Sequence, residues 1–327
     1  MTDLEPLLEI IELNKHFHVK GQQRPVRAVD GVSLELNRGE TLSVVGESGC
    51  GKSTLARAAL RIQEPTSGRV IFKGQNFLKL SRKKLRTKRR EMQFIFQDPY
   101  ASLDTRWPVG SIVTEPLVIH GVGDYRSRQK KLHELLELVG LDPTAANRYP
   151  HEFSGGQRQR IGIARAVALE PDLIVADEPV SALDVSIQSQ IINLLIRLKQ
   201  DLSLAYIFIT HDLAVVKHIS DRVAVMYLGV IIEFAGVEEL FSNPLHPYTQ
   251  ALISAIPRID YRQSGRRIVL TGDVPDPSDP PSGCRFHPRC IHRMDICSQE
   301  QPQTLTLGSN GSWHTVNCHL YNDAIRG

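Results

Sequence analysis

The nine residues Gly46-Glu47-Ser48-Gly49-Cys50-Gly51-Lys52-Ser53-Thr54 constrain this chain more than any other segment. They fit G-x-x-x-x-G-K-[ST], with the apolar run TLSVVG before them and the helical stretch KSTLARAALRI after them, the setting in which that pattern has physical meaning. Glycines let the backbone curl until successive N–H groups converge. The start of a helix adds partial positive charge, and a lysine at this spacing reaches past the loop. A loop of this kind holds phosphate oxygens, with Lys52 on the outer phosphates and Ser53 placed to ligate Mg2+. Strand, loop and helix in this order commit the chain to an α/β fold.

The flanking sequence extends that reading. Residues 7 to 36 alternate apolar and polar positions around a loop at 20 to 25, which predicts antiparallel strands. Strand signals return at RVIFKG (69 to 74) and MQFIFQ (92 to 97), and the pattern from Val109 to Leu169 is predominantly helical. DLIVAD (172 to 177) and LAYIFIT (204 to 210) lack alternation, as parallel strands buried on both faces do, and a helix-period segment from Ser186 to Leu202 separates them. Residues 221 to 236 predict two strands joined near Gly229, and HPYTQALISAI one more helix. From Thr271 to Gly283, four prolines, two glycines and three aspartates leave no room for regular structure, so this is a linker or an extended wrap.

At 327 residues the chain holds one large domain with an appendage, or two domains. Its 41% hydrophobic and 23% charged residues exclude disordered, collagen-like and membrane-spanning classes. The longest uncharged apolar stretch, Val223 to Ile232, is far short of the roughly 20 residues of a bilayer crossing. Asp3 and Glu5 stand where a secretory signal carries positive charge, so the expected location is the cytosol. The net charge of +3 hides eight basic residues between Lys79 and Arg90, without which acidic residues outnumber basic ones. That balance argues against a nucleic-acid-binding surface spread over the fold. The run itself is a solvated helix face, or touches phosphates or anionic lipid headgroups.

Two acids close the apolar strand Leu173-Ile174-Val175-Ala176-Asp177-Glu178. Asp177 suits the Mg2+ shell, and Glu178, pointing elsewhere, suits polarising an attacking water. Phe153-Ser154-Gly155-Gly156-Gln157 leads into the helical run RQRIGIARAVAL, so its amides sit at a helix N-terminus with Ser154 as cap or phosphate donor. One nucleotide rarely needs two such devices in one chain. The second is expected to face a nucleotide held by another chain, the alternative being a plain helix cap.

Together with Gln97 after the strand MQFIF, Ser181-Ala182-Leu183-Asp184, and His211 closing the strand AYIFIT, these motifs resemble the full set of an ATP-binding cassette ATPase, in the family's order. The resemblance extends over residues 7 to 327. Asn243-Pro244-Leu245-His246-Pro247-Tyr248-Thr249 and a cysteine-bearing tail are similar to the extension of oligopeptide and dipeptide permease ATPases, most of all their F-type subunit. The resemblance implies a P-loop NTPase core with an antiparallel β subdomain, a helical signature subdomain at about 98–170, and a small Cys-rich C-terminal extension. The cassette is expected over 1–256 and the extension over 257–327. It also implies an ATP-hydrolysing subunit that energises a membrane importer of dipeptides or oligopeptides, with ATP sandwiched against a partner's signature.

The family's roles carry over by position. Phe17 stands against adenine, although His16 and His18 flank it and either has a ring to stack. Gln97 senses Mg2+ and the membrane partner, and His211 contacts the γ-phosphate. Ser154 and Gly156 serve the opposing subunit's ATP, and Asp184 communicates across the dimer. The implied partners are a second, non-identical ATPase, two transmembrane permease subunits and, indirectly, a periplasmic or extracellular solute-binding protein, with no nucleic acid. The implied location is the cytoplasmic face of the inner membrane, as a peripheral subunit. Chromosome-maintenance ATPases share the loop and signature, but they place long heptad coils between them, and no sustained heptad repeat lies between Gln97 and Tyr149.

Cys284, Cys290, Cys297 and Cys318 fall in the last 44 residues, separated by five, six and twenty positions. Disulfides do not suit the cytosol, and four thiolates favour an iron–sulfur cluster or zinc. Neither short spacing is the C-x2-4-C turn of zinc knuckles. The family's extension is associated with a 4Fe-4S cluster, and that is the expectation, structural in role. Mixed zinc ligation with His287, His292, His314 and His319, or four reduced cysteines packed in a small fold, are the alternatives.

Overall fold

The computed structural model describes residues 5–21, 24–256, 268–307 and 313–325. Among these the strands run β1 (Leu8–Phe17), β2 (Val26–Leu36), β3 (Thr41–Val45), β4 (Ser67–Phe72), β5 (Gln75–Asn76), β6 (Met92–Ile95), β7 (Leu173–Asp177), β8 (Ala205–Thr210), β9 (Arg222–Tyr227), β10 (Val230–Gly236), β11 (Leu305–Thr306) and β12 (His314–Val316). The chain divides into two compact units. The first gathers Met1–Glu35, Thr41–Leu78 and Thr210–Gly327, and the second Leu36–Glu40 with Lys79–Ile209.

In the first unit, one sheet has the order β2-β1-β4-β5. Its strands alternate as expected, with Val29, Val32, Leu34 and Leu36 of β2 turned inward. β1 and β4 pair antiparallel, Leu8 opposite Phe72 and Ile10 opposite Val70. A second set of strands has the order β11-β12-β10-β9-β3. β3 is buried throughout and pairs parallel with β9, Val45 opposite Val225. β9 and β10 form the expected hairpin, turning on Leu228 and Gly229, both at positive φ (42° and 82°). That is the turn geometry whose twist matches paired strands.

The core of this unit joins Val45, Val223, Val225, Tyr227, Leu240, Tyr248, Ile253 and Phe286. Beneath it lies a polar group, the buried carboxylate of Glu233. It accepts from the Leu245 and His246 amides at 2.6 and 2.9 Å and from His314 Nε2 at 2.8 Å. A buried charge is tolerated only when its acceptor sites are filled in this way. The segment Thr271–Gly283 has no regular structure, as its prolines require, and is a wrap against β2, where the Arg27 amide donates to Pro277 O at 3.1 Å. The expected boundary at 256/257 meets residues 257–267, which lie outside the described residues.

His246 caps the helix Pro247–Ser254, its Nδ1 accepting from the Tyr248 amide at 3.1 Å. Complete burial pushes its ring down to about 4, against the opposing pull of the Glu233 charge. Between pH 6.5 and 4 the unfolded chain therefore binds the proton that the folded chain refuses, and stability falls as pH falls through that window. The expected loss by pH 4 is roughly 3 kcal/mol relative to neutral pH. Asparagine keeps a capping acceptor and cannot titrate, so thermal unfolding of His246→Asn should lack this part of the acid slope. Equal slopes in both proteins would refute the assignment.

In the second unit β6, β7 and β8 are parallel, with Phe94 opposite Val175 and Val175 opposite Ile207. Residues 173–177 and 205–210 are buried at every position, the pattern that the absence of alternation predicts. The helix Val185–Leu202 buries Ile191, Ile192, Leu194, Leu195 and Leu198 at helical spacing, and Gly155–Val167 buries Ile161, Ile163, Ala164 and Val167. Helices Val109–Ile119 and Tyr125–Leu138 occupy the stretch read as helical. The basic run forms the short helix Arg82–Lys88, capped by Ser81 and burying only Leu85.

Candidate nucleotide site

β3 ends at Val45 and the loop from Gly46 to Gly51 delivers the chain into the helix Lys52–Ala59. Three of its glycines have φ values that side-chain-bearing residues rarely adopt: Gly46 at 153°, Gly49 at 80° and Gly51 at 111°. Two are fixed by space as well. A Cβ on Gly46 would lie 2.2 Å from Met226 O, and one on Gly51 1.9 Å from Ala28 O. At these two positions the loop is pressed against its neighbours. Gly51 is the N-cap residue and makes no side-chain cap bond.

Lys52 is buried, and its Nζ donates to Gly46 O at 2.8 Å and Glu47 O at 2.9 Å. Cys50 lies under it at 3.8 Å, its thiol pushed up by burial. Ser48, Ser53 and Thr54 lie on the loop and the first turn as expected.

Glu47 has partners that spacing did not reveal. Its amide donates to Tyr248 Oη at 2.8 Å, and its carboxylate accepts both arms of Arg289 at 2.7 and 3.1 Å. Nearby, Asp30 accepts from His16 Nε2 at 3.0 Å and from Arg285, whose other arm donates to Leu228 O. Burial alone would raise the Asp30 carboxyl, but the bonds from Arg285 and His16 outweigh it and hold the group below its ordinary value. His16 is therefore tied to Asp30. Phe17, the last residue of β1, stands half-buried with Lys15 Nζ 4.9 Å from its ring centroid. His18 is exposed. His211 follows β8, just before Asp212, which caps the next helix through the Ala214 amide at 2.8 Å.

In the second unit Asp177 ends β7, fully buried, and Glu178 follows it. Glu178 has φ 46°, a left-handed conformation unusual for a residue with a side chain. Its amide donates to Ile209 O at 2.9 Å and its carbonyl accepts from Ser181 Oγ at 3.1 Å, which holds the turn. Gln97 Nε2 donates to Glu178 Oε2 at 2.9 Å, bringing together two residues read separately from the sequence.

Ser154 caps the helix Gly155–Val167 in a reciprocal box. Its Oγ accepts from the Gln157 amide at 3.3 Å, and Gln157 Oε1 accepts from the Ser154 amide at 3.0 Å. The Gln157 side chain is thus committed to the cap. Gly156 faces Ile187, whose Cγ2 would lie 2.4 Å from an added Cβ. Asp184 begins the helix Val185–Leu202 without spending its carboxylate on the cap.

The ABC transporter family model matches residues 29–181, and the model of the oligopeptide/dipeptide transporter C-terminal region matches residues 232–297. The oligopeptide transport ATP-binding protein AppF of Bacillus subtilis (strain 168) is 53% identical over 326 residues, covering 97% of this chain and 98% of the relative. The chain belongs to the ABC transporter ATPases. The dipeptide transport ATP-binding protein DppF of Escherichia coli (strain K12) is 49% identical over 308 residues, 93% of this chain and 92% of that protein. Among solved structures, a dimeric post-hydrolysis state of the ATP-binding cassette MJ0796 bound to ADP and Pi matches at 29% identity. Its TM-score is 0.64, and the match covers 70% of this chain and 98% of that one.

In this ABC ATPase the expected cluster on Cys284, Cys290, Cys297 and Cys318 is overturned, both as 4Fe-4S and as zinc. Among the described residues no group of three or more His, Cys, Asp or Glu side chains is arranged to hold a metal ion. The cysteines behave as small hydrophobes. Cys284 and Cys290 pack against the core around Tyr227, Tyr248 and Phe286, and Cys318 joins Leu245, Leu305 and Val316. Burial pushes the thiols of Cys284 and Cys318 up to about 11 and about 12. Three of the four nearby histidines, all but the exposed His292, bond other groups. His314 bonds Glu233, His319 donates to Glu300 O at 2.9 Å, and His287 donates to Cys284 O at 2.9 Å. A segment poor in apolar residues is held here by the aromatic core it packs on, so a Cys-rich unit stapled by metal does not describe this extension.

Proposed function

We propose that this chain is the ATP-hydrolysing subunit of an importer of dipeptides or oligopeptides. The observation that carries the reading is the phosphate loop. Gly46 and Gly51 leave no room for a side chain, and a buried ammonium at 52 is turned onto the loop's carbonyls. That is the donor chemistry a nucleoside triphosphate with Mg2+ requires. The peptide cargo is supported by the AppF and DppF relatives and by the matched transporter C-terminal region.

Lys52 binds the outer phosphates, and the loop from Ser48 to Thr54 cradles them. Ser53, Gln97 and Asp177 would hold Mg2+, which would supply Lewis-acid neutralisation of charge on the phosphoryl oxygens. Glu178 accepts a proton from the attacking water, His211 donates to the γ-phosphate, and Phe17 packs on adenine. The cassette occupies 1–256, with a helical subdomain at about 98–170, and the extension occupies 257–327. Ser154, Gly155, Gly156 and Gln157 act on ATP held by a second, non-identical ATPase subunit, and Asp184 lies at that interface. Among the described residues no helix is long and apolar enough to cross a membrane. Two permease subunits therefore hold the chain peripherally on the cytoplasmic face, and a solute-binding protein delivers the cargo to them.

Because Ser154 and Gly156 serve a neighbouring nucleotide, the isolated chain is expected to hydrolyse ATP poorly, and the reconstituted permease with both ATPases should restore turnover. Phosphate release measured on a strictly monomeric preparation and on the full assembly checks this. Equal rates in the two would sink the shared-site reading. Stimulation of the assembly by peptide-loaded binding protein, and not by other solutes, tests the cargo.

A further inference from the structure

Glu47 is the second residue of the phosphate loop, and both of its polar ends are taken by groups more than 200 positions away in sequence. The Arg289 side chain is 8% exposed and meets the carboxylate with two parallel N–H···O bonds, the geometry that fixes orientation as well as distance. Bonding to Glu47, first among its influences, also raises the Arg289 guanidinium above its ordinary value. Tyr248 supplies the second grip, its hydroxyl accepting from the Glu47 amide.

These two residues are themselves immobilised. Tyr248, Tyr227 and Phe286 are buried and meet edge to face, with ring centroids 4.9 to 5.4 Å apart. Such packing adds to the burial of each ring and leaves little freedom to turn. His246 caps the helix that carries Tyr248, and Arg285 ties the same stretch as Arg289 to Asp30 and Leu228. The His-Pro-Tyr segment at 246–248 and the Arg-Phe-His-Pro-Arg segment at 285–289 thus end on one loop residue.

We propose that Arg289 and Tyr248 are positioning residues for nucleotide binding, holding the phosphate loop in its binding conformation through Glu47. The inference rests on the reading of residues 46–54 as the ATP phosphate loop. Neither residue touches the nucleotide. They act by restricting the loop, so that less conformational freedom is lost when phosphate binds, and their removal weakens affinity without altering the chemical step. The extension is then a determinant of ATP affinity and not only a passenger on the cassette.

The test measures equilibrium binding of MgATP to the full chain, and the KM and kcat of the complete transporter. The proteins compared are wild type, Lys52→Ala, Arg289→Gln, Arg289→Lys, Glu47→Gln, the double variant Glu47→Gln/Arg289→Gln, and Tyr248→Phe. Arg289→Gln and Glu47→Gln should each weaken binding about tenfold, within the range of measured coupling energies. The double variant should be no worse than either single one, because they break one shared contact. Arg289→Lys, which keeps charge and loses the fork, should fall between. KM should rise while kcat stays near wild type. Tyr248→Phe keeps the aromatic packing and strips only the acceptor, so it reports on the second grip even where Arg289→Gln fails to fold; its expected effect is about threefold. Wild-type affinity in Arg289→Gln, Glu47→Gln and Tyr248→Phe, with Lys52→Ala defective, overturns the positioning role alone. Additive losses in the double variant, or a fall in kcat at unchanged KM, also overturn it. Lys52→Ala binding as tightly as wild type overturns the phosphate-loop reading instead.

Discussion

Glu178→Gln in the assembled transporter is expected to bind MgATP as wild type does and to hydrolyse it roughly 100- to 10,000-fold more slowly, the usual consequence of removing a general base. The amide keeps the size of the carboxylate and, by turning its oxygen toward Gln97 Nε2, keeps the 2.9 Å bond that now holds Glu178. What it loses is the capacity to take the proton as the water oxygen bonds to the γ-phosphorus and the bond to the bridging oxygen breaks. Backbone geometry supports a functional reading as well. A residue with a side chain at φ 46° carries a conformational cost of order 1 kcal/mol or more, and such costs concentrate at functional sites. Glu178→Gly should therefore stabilise the fold while abolishing turnover. Single-turnover phosphate release beside nucleotide binding separates these effects, and a Glu178→Gln assembly with near wild-type hydrolysis would show that the base lies elsewhere.

The second large effect concerns two glycines of one loop. Both Gly49 and Gly51 have positive φ, 80° and 111°. A Cβ at Gly49 would meet nothing within 4 Å, whereas at Gly51 it would lie 1.9 Å from the backbone oxygen of Ala28. Gly49→Ala should cost about 1 kcal/mol of backbone strain and leave a loop that still binds nucleotide, weakened severalfold. Gly51→Ala cannot be accommodated without moving β2 or the start of the helix, because the obstructing atom is main chain. It should lose nucleotide binding outright and destabilise the fold by several kcal/mol, in the tail of single-substitution effects. Thermal unfolding and MgATP titration of the two variants give the comparison, and equal behaviour would mean that strain rather than space decides this loop.

Why some of this was legible in the chain and some was not follows from distance along it. The loop 46–54 is a local device, in which the residues that need glycine's freedom, the helix that follows and the lysine lie within nine positions. The buried strands β7 and β8 likewise announce themselves by unbroken apolar runs. Ser154 and Gln157 show how one local pattern serves two readings, since the box that caps the helix is the signature itself. Glu47 shows the opposite case. Its partners Tyr248 and Arg289 lie 201 and 242 positions away, and nothing in either neighbourhood marks them as its mates. The cysteines failed for a related reason. Spacing shows that four thiols are near in sequence, but not what surrounds them: Cys284 and Cys290 pack against one apolar cluster and Cys318 joins another.

Glu233 ties the history of the two ends of this protein together. Its carboxylate sits on β10, yet one of its three donors, His314, comes from β12, 81 positions further along. Removing one partner of a buried charge costs far more than the pair was worth. A tail exchanged between paralogues, or eroded by drift at position 314, therefore strands an acid in the core unless residue 233 changes with it.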